Sequence, residues 1–155
     1  MTDRRLPRSK TVSVVVPAPP EAVWAVLTDV TRVGEWSHEA TGARWVQGDG
    51  PTAGNAFKGT NRLRWIRWSR PCTVVESVPG VRFAWTTNGG LAGDATRWSF
   101  ELEAVPEGTR ITETYQIEKM PRLLEAAVVR LMPTHLDRAA AMAGDLARLG
   151  DLAAR

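Results

Sequence analysis

With 155 residues, 43% of them hydrophobic and 24% charged, the chain has the length and mix of one globular domain with its own hydrophobic core. A single cysteine, Cys72, excludes an internal disulfide and a cysteine metal cluster, and no apolar run is long enough to span a bilayer. The net charge of +3 is small, and Arg4, Arg5, Arg8 and Lys10 supply much of the basic excess, so a nucleic-acid partner is disfavoured. Residues 1–10 lack the apolar core of a signal peptide and read as a disordered basic tail ahead of a single domain over residues 11–150. With the lone thiol, this suits a cytoplasmic protein.

In chain order, Thr11–Val16 reads as a strand that ends in prolines. Pro20 and Glu21 then suit the first turn of a short helix stopping near Asp29. Its apolar face is Val23, Trp24 and Leu27, with Val26 beside it. "VTRVGEWSHEA" gives a second helical turn, with Trp36 inserted beneath it. Ala43–Val46 and Ala56–Leu63 are the next strands, and "RWIRWSR" continues or bends the latter. "PCTVVESVPGVRFAWTT" is a hairpin turning at Pro79-Gly80. "ATRWSFELEAVPEGTRITETYQIEK" is the clearest hairpin. Period two puts Trp98, Phe100 and Leu102 on one face, and Ile111, Glu113, Tyr115 and Ile117 on one face of the returning strand. A tight turn pairs Glu103 with Arg110, Leu102 with Ile111 and Phe100 with Glu113, so one carboxylate falls on the apolar side.

From Pro121 the period becomes 3.6. Leu124, Val128 and Leu131 form one stripe, Pro133 interrupts or kinks the helix, and Thr134 caps its continuation with Asp137 as the first-turn acid. His135, Ala139, Met142, Leu146 and Leu149 align on the face expected to meet the sheet, and Gly150 ends the helix. The fold class is therefore α+β. A curved antiparallel sheet of six or seven strands wraps a long C-terminal helix, with two short helices after the first strand. A bent sheet and one helix leave a gap, which is a natural pocket.

The stretches "VPAPPEAVWAVLTDVTRVGEWS", "AGNAFKGTNR", "CTVVESVPGVRFAW", "TRWSFELEAVPEGTRITETY" and "HLDRAAAMAGDLARL" resemble the START-like, or Bet v 1-like, helix-grip superfamily. Within it they resemble the bacterial polyketide cyclase/dehydrase and lipid-transport group, the SRPBCC proteins. The likeness runs from Thr11 to about Leu149. It implies a ligand between the sheet and the last helix, but the scaffold hosts cyclases, aromatases, carriers and receptors, so it names no reaction.

The ligand-binding candidates are Trp36, Phe57, Asn61, Trp65, Trp85, Trp98, Phe100, Glu113, Tyr115, His135 and Met142. Tryptophan and tyrosine offer flat apolar area with one polar handle. Trp24 and Phe83 read as plain core. Glu113 is open to two readings: a salt bridge to a neighbouring arginine or a place at the barrel mouth, against a pocket carboxyl that burial makes easier to protonate. If the protein is an enzyme, Glu113, Tyr115 and His135 are the catalytic candidates. His38 sits at a loop that edges the entrance. The two histidines lack a metal-ligand spacing, so no metal or cofactor is expected. The arginines of Asn61–Arg70 are assigned to the wet side of the sheet, facing Glu101 and Glu103, or to a rim that attracts acidic ligands or touches a membrane transiently.

Three functions follow. The first is binding or transport of a small hydrophobic ligand such as a lipid, fatty acid or polyketide-like molecule. The second is a polyketide cyclase, aromatase or dehydratase, and the third a regulatory or interaction domain with little cavity. Monomer and homodimer both remain open.

Overall fold

The computed structural model of the chain describes residues 4–155. Seven strands form one antiparallel sheet in the order β1-β7-β6-β5-β4-β3-β2. They are β1 (Ser9–Val16), β2 (Ala40–Gln47), β3 (Ala56–Leu63), β4 (Ile66–Val78), β5 (Arg82–Asn88), β6 (Ala95–Val105) and β7 (Gly108–Lys119). Helix α1 (Pro20–Thr28) and a 3-10 turn (Val30–Glu35) follow β1. Helix α2 (Arg122–Leu131), a second 3-10 turn (Pro133–Leu136) and α3 (Ala139–Ala153) complete the chain. The sheet curves around α3, as the period-two and period-3.6 patterns predict.

The register of β6 and β7 is the predicted one: Glu103 opposes Arg110, Leu102 opposes Ile111 and Phe100 opposes Glu113. Irregularities bend the sheet where an extra residue interrupts the ladder, twice between β2 and β3, near Val75 in β4, and at the start of β6. The concave face carries Val74, Phe83, Phe100, Leu102 and Ile111. Val23, Val26 and Leu27 of α1 and Leu146 and Leu149 of α3 join them in one core. Trp24 packs its edge on Phe83 at 5.9 Å between ring centres, a core role.

Several expectations need correction. Ser9 and Lys10 open β1, and Leu6 is buried with its N–H donating to Glu125 Oε1 at 2.9 Å, so residues 6–10 are not a free tail. Residues 1–3 lie outside the described residues. "RWIRWSR" does not continue β3. Leu63 pairs with Ile66, so Arg64 and Trp65 form a tight turn, with Arg64 in the left-handed region at φ 56°. Trp65 therefore points away from the strand face and is 78% exposed. Pro71 sits inside β4 where pairing to β5 stops, since the ladder between them begins at Cys72.

Arg62, Arg64 and Arg67 are exposed, but Arg70 turns inward to a two-point salt bridge with buried Asp94. The partners of Glu101 and Glu103 are Arg82 and Arg110 instead. Of the two expected effects of Pro133, interruption is the one found: the C-terminal helix is broken there. Pro133 starts a separate 3-10 turn that contains His135, and Asp137 Oδ1 accepts from the Ala139 N–H at the start of α3 while Thr134 caps nothing. Leu131, at the end of the predicted stripe, is half exposed.

Gly150 does not end α3, which runs three residues further. It is buried, and a methyl group there would collide with the Val16 side chain. At Gly144, in the same helix, the nearest group is the Arg148 guanidinium at 3.4 Å, an ordinary van der Waals contact. Gly150→Ala is expected to destabilise the protein by about 1–3 kcal/mol, because overpacking outweighs helix propensity. Gly144→Ala is expected to be neutral or to stabilise by up to about 1 kcal/mol. Urea unfolding of the two variants checks both signs.

Candidate functional site

Between the concave face and the helices lies a cavity of about 410 Å³. A row of aromatic rings crosses its floor. Phe57 meets Trp85 at 5.7 Å and Trp85 stacks on Phe100 at 5.4 Å, while Trp45, outside the lining, backs Phe57 edge-on at 5.5 Å. Trp36 stands edge-on to Phe100 at 6.0 Å. Strand alternation places these rings together. They come from β2, β3, β5 and β6 on one face, with Trp36 delivered by the loop after the first 3-10 turn. Toward α2 the wall becomes aliphatic, with Ile117, Met120, Leu124, Val128 and Met132, and Leu6 joins it.

The polar groups gather where β7 meets α3. Glu113 is buried on the inner face of β7, lines the cavity, and its Oε2 has no hydrogen-bond partner among the described residues. Burial pushes its pKa up to about 8; Asp145 adds to the rise and Arg138 opposes it. Asp145 of α3 accepts from the His38 backbone N–H at 2.8 Å, meets His38 Nδ1 at 2.7 Å and accepts from Arg148 Nη2 at 2.5 Å. Arg148 Nε also donates to the Trp36 carbonyl at 2.9 Å.

Glu39 lies 2.5 Å from His135 Nε2 and accepts from Arg138 Nη1 at 3.3 Å. Burial works to raise the Glu39 pKa, but these partners and His38 outweigh it and hold the carboxyl below its ordinary value. The Arg138 guanidinium lies 5.4 Å from the Trp98 ring centre and 5.6 Å from that of Tyr115. Tyr115 is raised by burial, with Arg138 opposing. Cys72, in the same wall, is pushed up to about 12 by burial, which makes it a poor nucleophile.

Of the sequence candidates, Trp36, Phe57, Asn61, Trp85, Trp98, Phe100, Glu113, Tyr115, His135 and Met142 all line this cavity, and His38 does too. Trp65 does not, because the tight turn carries it into solvent. Glu113 has no arginine salt bridge among the described residues. His135 reaches the cavity from the 3-10 turn, bonded to Glu39. Sequence reasoning missed Glu39, Asp145, Arg138, Trp68 and the Arg70–Asp94 pair. Asp145 carried a signal, since it lies three residues after Met142 and four before Leu149, on the apolar stripe of α3. Glu39 and Arg138 sit beside breaks in regular structure, where no period marks a direction. No group of three or more His, Cys, Asp or Glu side chains among the described residues is arranged to hold a metal ion.

A curved antiparallel sheet gripping a C-terminal helix around an internal cavity defines the helix-grip class. The family model for polyketide cyclase / dehydrase and lipid transport matches residues 8–153, and the chain belongs to that family. Among solved structures the chain is similar to CV1439 from Chromobacterium violaceum, with 17% identity and a TM-score of 0.68 over 96% of this chain and 99% of that one. It is also similar to TTHA0849 from Thermus thermophilus, at 16% identity and TM-score 0.68 over 94% and 97% of the two chains. The Polyketide_cyc-like protein Cgl2372 from Corynebacterium glutamicum has 23% identity and a TM-score of 0.63 over 92% and 88%. At such identities these likenesses show the fold alone. No curated protein matches the chain. No helix among the described residues is long and apolar enough to cross a membrane.

The raised pKa of Glu113 has a consequence for stability. Between its ordinary value of 4.5 and about 8, the folded protein holds a proton that the unfolded chain has released. Stability therefore falls as pH rises through that window and levels off above it. Glu113→Gln keeps the shape and removes the titration. The variant is expected to match the wild type near about pH 4.5 and to exceed it by on the order of a few kcal/mol at about pH 9. Denaturant unfolding at the two pH values checks the sign.

Proposed function

We propose that the protein binds and carries a small, largely hydrophobic molecule inside the cavity between the sheet and α2–α3. The observation that carries this reading is the cavity of about 410 Å³, which falls in the range of small-molecule sites. Its wall is mostly aromatic and aliphatic, with a few polar groups grouped at one end, as orientation of a bound molecule requires. Trp36, Phe57, Trp85, Trp98, Phe100 and Met142 supply contact area. Asn61, Glu113, Tyr115 and His135 supply polar contacts. The same volume weighs against a domain whose interior is filled.

A second reading, a cyclase or dehydratase, is favoured by one feature. The unpartnered carboxyl of Glu113, with a pKa near 8, would exchange protons with a bound carbonyl or hydroxyl at neutral pH. Tyr115, two residues along the same face, would supply a neutral donor. Glu113→Gln separates the readings: a carrier keeps its function, whereas an enzyme keeps binding and loses turnover.

The carrier reading is tested by its contents and its capacity. Gentle purification followed by native mass spectrometry is expected to recover a co-purifying apolar molecule. Gly59 lines the cavity from β3, and the nearest atom to a Cβ placed there is the Arg70 carbonyl oxygen at 4.0 Å. Gly59→Leu is therefore expected to fill the cavity without strain. Calorimetric titration with an apolar compound is expected to show affinity reduced about tenfold or more, with an unchanged melting temperature. Equal affinity in wild type and variant would place binding elsewhere.

A further inference from the structure

The charges around the cavity narrow the class of molecule it accepts. This step rests on the carrier reading. Four acidic side chains line the wall: Glu39, Asp94 and Asp145, each paired with a cation, and Glu113, which keeps its proton at neutral pH. Both arginines of the lining are already committed, Arg70 to Asp94 and Arg138 to Glu39. Arg148, just outside, is held by Asp145 and the Trp36 carbonyl. The histidines are likewise engaged, His135 by Glu39 and His38 by Asp145. An incoming carboxylate would meet acids whose cations are taken, and it would have to give up its own hydration to do so.

Two buried polar atoms of lining residues have no partner among the described residues: Trp36 Nε1 and Glu113 Oε2. They border the same end of the cavity. Trp36 stands against Phe100, and Phe100 is the cross-strand neighbour of Glu113. An indole N–H only donates, whereas a carboxyl that keeps its proton donates through one oxygen and accepts through the other. An ammonium group would find no unpaired anion there and would leave the indole unsatisfied. A ketone would accept from the indole but has no proton to give the accepting oxygen of the carboxyl. A hydroxyl accepts from Trp36 and donates to Glu113 with the same oxygen.

We infer that the cavity selects a neutral apolar molecule bearing a hydroxyl group, an alcohol or phenol, which Trp36 Nε1 and Glu113 anchor at the α3 end while the hydrocarbon extends toward α2. Fatty acids and amines of the same length are disfavoured. Leaving a buried polar group unpaired is what makes such sites discriminate.

The test is calorimetric titration of the full chain at about pH 7 with decanol, decanoate and decylamine. Decanol is expected to bind about tenfold or more tightly than either charged analogue. Glu113→Leu and Trp36→Phe are each expected to erase that preference while retaining some affinity for all three, and Glu113→Gln is expected to keep it. Decanoate binding as well as decanol, or a preference unchanged in both Glu113→Leu and Trp36→Phe, would overturn the inference and leave the carrier reading standing. If none of the three binds and no cargo co-purifies, the carrier reading falls and this inference with it.

Discussion

A buried carboxylate on a helix holds the two halves of this molecule together. Asp145 leaves α3, enters the interior and gathers the backbone N–H and ring of His38, while Arg148 one turn later takes both Asp145 and the Trp36 carbonyl. Apolar packing joins α3 to β1 and α1, but packing alone is non-directional. The Asp145 contacts fix where the loop after the first 3-10 turn sits, and that loop carries Trp36, His38 and Glu39 into the cavity. An acid buried this deeply is tolerable because its oxygens are satisfied. Glu113, a strand away, lacks that compensation, and the contrast between the two carboxylates marks one as structural and the other as available.

The cavity itself follows from a mismatch of lengths. Fifteen residues of α3 give roughly 22 Å of helix, whereas the twelve of β7 extend roughly 40 Å. One straight helix cannot cover such a strand. The break at Pro133 divides the cover, so α3 seals the Leu102–Ile111 end as solid core and α2 roofs the remainder loosely. Helix α2 has a single buried side chain, Glu125, which is bound to the Leu6 N–H and to Arg8. The roof is thus tied down by the N-terminal residues and not by intimate packing on the sheet.

The fold is legible because its strands alternate strongly. The β6–β7 register can be written from the positions of Trp98, Phe100, Ile111 and Tyr115, and the inward direction of Glu113 comes with it. Legibility fails where direction is set by a turn or a break. Strand alternation extended across Arg64 and Trp65 sends Trp65 inward, but those two residues form a turn. The helical stripe that includes His135 begins before the helix does. Glu39 and Arg138 lie beside such interruptions, and only the tertiary structure brings them together with His135. The cavity's aromatic character is written in the composition. Its charge balance is not, because which arginine meets which acid depends on side chains from distant parts of the chain.

Seven tryptophans are distributed unevenly over this architecture. Trp36, Trp68, Trp85 and Trp98 border the internal space, while Trp65 stands in solvent on its tight turn. A molecule bound in that chamber would change the polarity around four indoles at once, against a background from Trp24, Trp45 and Trp65, so tryptophan emission would gauge its occupancy.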